Sequence, residues 1–206
     1  MTIELTGKEI DEQFQEAAEE QLQWDPSDDL DITYKFDARI SQGWRRKIWL
    51  RKGIVLFLDQ HKLNDQWIES NFDEEINYLW MCFKLSGQGE NISTSRSLNF
   101  SGSNKAGNYC VHSNGLLSDR KTIHSDVAQH SYFNIEIRPE LLRSFMSASD
   151  GELPGELQHL IKSPNEAAYE RDGDIQPPMS VIIQQILQCP YQGMVKRVYL
   201  ESKALE

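Results

Sequence analysis

From Leu30 to Ile40 apolar and polar residues alternate without a break. Leu30, Ile32, Tyr34, Phe36, Ala38 and Ile40 are interleaved with Asp31, Thr33, Lys35, Asp37 and Arg39. A period of two is the mark of a strand with one buried face, since successive side chains point to opposite sides. The pattern returns along the chain. Trp44, Arg46, Ile48 and Leu50 share one side of the next segment, Arg51-Lys52-Gly53 turns it, and Ile54 to Leu58 forms a more fully apolar strand. Leu79, Met81, Phe83 and Leu85 line one side of a strand from Ile76 to Leu85, and Phe133, Ile135 and Ile137 close another from Val127. Short strands are also expected at Ser97–Phe100 and Tyr109–His112, with a polar loop over Ser86–Ser95. Many short strands between Gly- and Asn-rich turns predict a sandwich or a barrel.

After Arg138-Pro139 the period becomes helical and stays so. Glu140 to Met146 reads as a short helix, and Pro154 to Lys162 as another, with Pro154 in its first turn where a missing amide costs nothing. Met179, Ile182, Ile183, Ile186 and Leu187 form an apolar helical stripe. Pro190 lacks an amide proton and disfavours helical geometry at Cys189, so that helix stops near Gln188. Gly193 permits a turn. In the last helix Met194, Val195, Val198, Tyr199, Ser202 and Leu205 share one face, Lys196, Arg197 and Lys203 the other, and Leu200 lies alone on the polar side. These two helices read as a hairpin that packs on its own domain or pairs across a two-fold axis. Ile182, Ile186, Val198 and Leu200 are the candidate dimerisation residues. At the other end, Thr6-Gly7-Lys8-Glu9 has capping-box spacing and predicts a helix from Thr6 to Leu22, followed by a turn-rich linker at Trp24–Asp29. Strands first and helices afterwards imply an α+β fold. The expected regions are residues 1–29 (helix and linker), 30–138 (β unit) and 139–206 (helical region).

At 206 residues the chain should bury roughly 70% of its unfolded surface. Its formal net charge is −11, so it is a poor partner for nucleic acid, whose affinity comes largely from Lys and Arg. No apolar run reaches membrane-spanning length, and the acidic N-terminus is unlike a signal peptide. Cys82, Cys110 and Cys189 are widely spaced with no CxxC pair, which suggests neither a zinc cage nor a disulfide framework and fits a reducing cytoplasm.

No phosphate-binding, dinucleotide-binding, nucleophile-elbow or zinc-protease motif is present. His112, His124 and His130 fall in the β-rich half, but the tight HxH pair of metal-holding cupin barrels is missing, and no protein metal site is expected. Cys110 and His112 lie two apart on a predicted strand, with no orienting acid or oxyanion hole, so an enzyme is not expected. The basic cluster Arg45-Arg46-Lys47 and Arg51-Lys52 stands out in an acidic chain. Arg46 has the parity of Trp44, Ile48 and Leu50. If those face the interior, Arg46 beside Trp44 suits a small anionic aromatic compound; an internal salt bridge or an exposed side chain are the alternatives. The candidate ligand-binding residues are Trp44, Arg46, Trp49, Tyr109 and His112.

The closing segment Cys189-Pro190-Tyr191-Gln192-Gly193, followed by Lys196-Arg197-x-Tyr199-Leu200-Glu201-Ser202-Lys203-Ala204-Leu205, resembles the end of the sensor domain of AraC-family transcription regulators, in the subgroup of the pyochelin regulator PchR. The stretches GWRRKIWLRKGIVLFL, FKLSGQ and ELPGELQHLI carry the same likeness. The resemblance implies a small cupin-like jelly-roll barrel followed by helices that pair two subunits. It implies a ligand-sensing and dimerisation domain that responds to a small-molecule effector, with a ferric siderophore the expectation for this subgroup. Such an effector brings its own metal, so no built-in cofactor is expected. DNA is contacted through a helix-turn-helix domain missing from these residues. A metal-dependent cupin-type enzyme and a ligand-free interaction module are the competing readings.

Overall fold

The computed structural model describes residues 2–6, 9, 22–36, 38, 41–71, 75–93, 105–117, 120–124, 129–146, 153–163 and 165–206. Its strands in chain order are β1 (Thr2–Thr6), β2 (Leu22–Asp25), β3 (Asp28–Lys35), β4 (Ser41–Arg51), β5 (Ile54–Leu63), β6 (Gln66–Asn71) and β7 (Glu75–Ile76). There follow β8 (Leu79–Ser86), β9 (Gly89–Ser93), β10 (Asn108–His112), β11 (Gly115–Leu116), β12 (Arg120–His124), β13 (Gln129–Ile137) and β14 (Glu170–Asp174). The helices are α1 (Pro139–Met146), α2 (Pro177–Leu187) and α3 (Gly193–Leu205), with a 3-10 helix at Gly155–Leu160.

The large sheet has eight strands in the order β14-β10-β8-β13-β5-β4-β3-β2, all antiparallel. A smaller sheet runs β1-β6-β12-β9, and β11 pairs with β7. Among the described residues no ladder joins the large sheet to the small one. The β unit is therefore two facing sheets where a closed barrel was expected, and the fold is mostly β with a few helices.

Register assigns each side chain to a face. One row across the large sheet reads Tyr109, Phe83, Phe133, Leu58 and Arg46; the next reads Val111, Met81, Ile135, Leu56 and Ile48. These rows belong to the main core, which continues into Leu142 of α1, Ile183 and Ile186 of α2, and Leu200 and Ala204 of α3. This face of the sheet is covered by helices. The alternating strand at Leu30 has a second consequence. Ile32 and Tyr34 are buried on one side as expected, but Asp31 is buried on the other, because α3 lies there.

Several expectations need correction. The linker Trp24–Asp29 is a hairpin turn: β2 pairs with β3, and the latter begins at Asp28. The helical tail is interrupted by β14, whose sequence Glu170-Arg171-Asp172-Gly173-Asp174 lacks apolar alternation because it is a charged edge strand. Segments β6 and β12 were missed, and β9 lies in the stretch read as a polar loop. At the N-terminus the capping box forms: Thr6 N–H donates to Glu9 Oε2 at 2.7 Å, and Glu9 N–H donates to Thr6 Oγ1 at 3.1 Å. The rest of the helix expected there, and the strand expected at Ser97–Phe100, lie outside the described residues.

The last helix is turned over relative to its amphipathic pattern. Leu200 on the charged side is 2% exposed and Lys196 beside it 3%, whereas Met194 and Val198 on the apolar side are 70% and 64% exposed. We therefore expect Leu200→Ala to cost about 2–5 kcal/mol in urea unfolding, and Val198→Ala to change stability by less than about 0.5 kcal/mol. The reverse order would show that the helix packs by its apolar face.

Candidate functional site

Two clusters lie on opposite faces of the strands β3 and β4. The first lies between the sheets. Arg45, Lys47 and Trp49 alternate with Arg46, Ile48 and Leu50, and so turn away from the helices. Their neighbours across the sheet are Tyr34, Phe57, Asp59, Tyr132, Lys84, Asn134, Cys82 and Cys110. Arg45 forms a two-pronged ion pair with buried Asp59, at 2.5 and 2.9 Å. Asn134 Nδ2 also donates to Asp59. Lys47 Nζ lies 4.8 Å from the ring centroid of Trp49 and 5.0 Å from that of Phe57. Lys84, almost wholly buried, lies 5.1 Å from the Tyr132 ring centroid.

The small sheet closes over one end of this row. Tyr132 Oη approaches His124 Nδ1 of β12 at 3.3 Å, and His124 Nε2 is 3.1 Å from Glu69 of β6. The His61 and His130 rings stack at 5.6 Å, and His124 meets His130 edge-on at 6.1 Å. Gly87, at φ +94, leaves no room for a side chain here: a Cβ would come within 2.6 Å of His130 Nδ1. Burial, then the neighbouring His130, His124, Arg45 and Lys84, push His61 down to about 3, so it is neutral near pH 7. Burial likewise lowers Lys84 to about 8 and raises the Tyr132 phenol. Lys84, the paired Arg45 and Lys47 bring positively charged side chains to a row interleaved with aromatic rings. That chemistry suits a flat anionic molecule.

The second cluster holds the last helix. Lys196 Nζ of α3 lies 2.8 Å from Asp25, 3.2 Å from Asp28 and 2.7 Å from Asp31. Arg197 bonds to Asp28 and Asp29, and Arg46 grips Asp31 through two bonds of 2.8 and 2.6 Å. Arg51 pairs with Glu201 further along the helix. Burial works against the charge on Lys196, but its bonds to Asp25 and Asp31 outweigh this and raise its pKa. The Asp25 carboxyl is held far below its usual range, by Lys196 first and Ser27 second. Beside this clamp is a cavity of about 90 Å³ lined by Arg46, Ile48, Leu58, Ile186, Cys189 and Lys196, among others. It is far smaller than the roughly 300 Å³ at which ligand pockets begin.

Of the candidate ligand residues, Trp49 and His112 lie on the inter-sheet face, His112 stacked on Trp80 at 5.2 Å. Trp44 and Tyr109 have the opposite parity, and Tyr109 packs against the helix-facing core. Arg46 also faces the helices, in the internal salt bridge that was its alternative. On β4, where bulky residues occupy both faces, the inter-sheet face carries Arg45 and Lys47 of the basic cluster and not Arg46. Sequence reasoning missed Lys84 and the aspartate clamp. Four aspartates within Asp25–Asp31, facing Lys196-Arg197 far along the chain, were the available signal. Ile186 and Leu200 are buried in this chain's own core, Ile182 packs partly against it, and Val198 points outward. His124 and His130 meet, but His112 stands apart from them. Among the described residues no three His, Cys, Asp or Glu side chains are placed to hold a metal ion.

Residues 42–206 match the family model described as the regulatory protein PchR N-terminal domain. The chain belongs to this family. The match spans β4 through α3 and so contains most of both clusters, but leaves Asp25, Asp28 and Asp31 of the clamp outside it. No curated protein matches the chain. Similar solved structures include ToxT from Vibrio cholerae, with 13% identity, a TM-score of 0.46, and coverage of 73% of this chain and 54% of that one. Unsaturated fatty acid bound wild-type ToxT from Vibrio cholerae strain SCE256 gives 8% identity and 0.46, covering 75% and 53%. The bacterial pirin YhhW in complex with nickel(II) from Escherichia coli gives 9% and 0.36, covering 74% and 53%. The chain thus spans about half the length of these proteins. No helix among the described residues is long and apolar enough to cross a membrane.

The clamp makes a sharp prediction. Lys196→Ala removes the cation shared by Asp25, Asp28 and Asp31, strips Asp25 of its cationic partner, and should cost about 3–5 kcal/mol in urea unfolding. Lys203→Ala, whose partner Glu206 is exposed, should cost less than about 0.5 kcal/mol. The lowered carboxyls of Asp25 and Asp28 stabilise the fold above the unfolded carboxylate pKa of about 4, and this is lost as pH falls through their folded values. The acid limb of the stability curve should therefore flatten in Lys196→Ala; an unchanged limb would show that the clamp adds nothing.

Proposed function

We propose that this chain is the ligand-sensing domain of an AraC-type transcription regulator whose effector lodges between the two sheets. The effector is a small anionic aromatic chelate of the ferric siderophore class. Its charge meets Lys47 and Lys84, and its rings lie against Trp49, Phe57 and Tyr132. Family membership supports the regulatory role, and the cationic, aromatic inter-sheet face supports the ligand class.

One observation carries the mechanism: Arg45 and Arg46 are consecutive, yet Arg45 bonds to Asp59 on the inter-sheet face and Arg46 to Asp31 in the helix clamp. A ligand that shifts β3 and β4 changes the footing of α3 directly. The resulting bias equals the ligand's preference for one packing over the other, and no more. Two copies of the chain pair through the outward stripe of Met194, Val195 and Val198, and the helix hands the state of the sensor to a helix-turn-helix domain that reads DNA.

Titration with ferric phenolate siderophores, the iron-free compounds and neutral sugars, followed by tryptophan fluorescence, tests this reading. We expect quenching by a ferric siderophore, and about tenfold weaker binding in Lys47→Gln, equivalent to about 1.4 kcal/mol. Affinity should fall as pH rises through about 8, because Lys84 then loses its charge. Absence of quenching with every chelate, or binding of neutral sugars alone, would remove the proposal.

A further inference from the structure

Cys82 of β8 and Cys110 of β10 are directly opposed partners on the inter-sheet face. Two residues further on, the next pair on that face, Trp80 and His112, is close enough to stack. Backbone bonding identifies the kind of pair. Ile175 N–H donates to the Gly107 carbonyl, and Ser113 N–H donates to the Tyr169 carbonyl. The odd-numbered residues of β10 thus point these groups toward β14, and Cys110 points its own toward β8. Cys82 and Cys110 form a hydrogen-bonded antiparallel pair, with Cα atoms about 5.5 Å apart. A disulfide spans Cα separations of about 4.4–6.8 Å. Their Cβ atoms, at about 4.5–5.5 Å, stand wider than the roughly 3.5–4.5 Å of a relaxed bridge. A bridge at this pair pulls the strands together and is easily reduced.

Both residues are half-buried, and the neighbouring Cys110 thiol first and burial second hold the Cys82 thiol well above its ordinary pKa, so Cys82 rests protonated. Cys189 is remote from the pair, beside the helix clamp.

We propose that Cys82 and Cys110 are a redox modification site at which a hydroperoxide converts the dithiol into a cross-strand disulfide in the wall of the inter-sheet space. One sulfur, as thiolate, attacks the peroxide: an S–O bond forms, the O–O bond breaks, and the departing oxygen takes a proton and leaves as alcohol or water. The second sulfur attacks the sulfenic sulfur. An S–S bond forms, the S–O bond breaks, and hydroxide leaves with the remaining thiol proton as water. Two electrons pass from the thiols to the peroxide. The bridge lies two residues from Lys84 and beside Asn134, while Phe83 and Tyr109 on the reverse face belong to the helix-facing core. Oxidation at this point therefore acts on both layers.

The test uses the whole reduced chain and no effector, so its failure is separate from failure of the sensor reading. The chain is treated with hydrogen peroxide, alkylated, and analysed by intact mass and non-reducing peptide mapping. We expect loss of two hydrogens, a linked Cys82–Cys110 peptide pair, reversal by dithiothreitol, and faster formation as pH rises. Cys189→Ser should form the bridge, and Cys82→Ser and Cys110→Ser should not. The wild-type map decides the question even where a variant folds poorly. A bridge to Cys189, sulfinic acid without a bridge, or both thiols still open to alkylation after denaturation once Cys189 is fully oxidised would each overturn the proposal.

Discussion

An ammonium group buried among three carboxylates determines where the last helix lies. Neither side of this contact is stable alone. Lys196 without acids carries the desolvation cost of a buried charge, several kcal/mol, and Asp25, Asp28 and Asp31 without a cation repel one another. Each therefore requires the other, and the requirement is directional. Turning α3 by one residue about its axis, 100°, carries Lys196 off the aspartates. Leu200 and Ala204, four and eight residues on, then lose their places in the core. Apolar packing tolerates sliding better than a three-way ion contact does, so the charges fix the rotation and Leu200 adds to the affinity.

The same strands serve the other face. Ile32 and Tyr34 of β3 are buried on the face turned away from the helices, while Asp31, next to Ile32, is buried against the helix. On β4, Arg45 and Lys47 face inward and Arg46 faces the clamp. A pleated ribbon has no slack between its faces, since neighbouring side chains share one backbone. Here ion pairs secure both faces, and an ion pair has a shorter list of acceptable geometries than an apolar contact.

The existence of most long elements could be read from the sequence: the period-two runs became β3, β4, β8 and β13, the apolar run from Ile54 became β5, and the Pro190 break separates α2 from α3. What could not be read was which face of each element is inside. A strand covered on both sides offers no polar face to orient it, and Trp44-Arg45-Arg46-Lys47-Ile48-Trp49 has bulky residues at either parity. The last helix misled for a related reason. Amphipathicity ranks residues by affinity for water, and it cannot register that Lys196 has carboxylates waiting in a hairpin far away along the chain. The same long-range pairing hid Cys82 and Cys110, which register places opposite each other although sequence separates them widely. Edge strands such as β14 escape because their charges follow from exposure of the edge, not from the core.

The inverted helix is also an argument about what covers it. Were its apolar stripe turned inward, Lys196 would be solvated and Asp25 and Asp28 left unmatched; as it lies, these acids are matched and Met194, Val195 and Val198 face outward with Tyr191 and Leu187. Exposed apolar area of this kind on an otherwise acidic, highly charged chain is the part of the molecule most favourable to association. Charge thus holds one side of α3 to the β unit and leaves the apolar other side exposed.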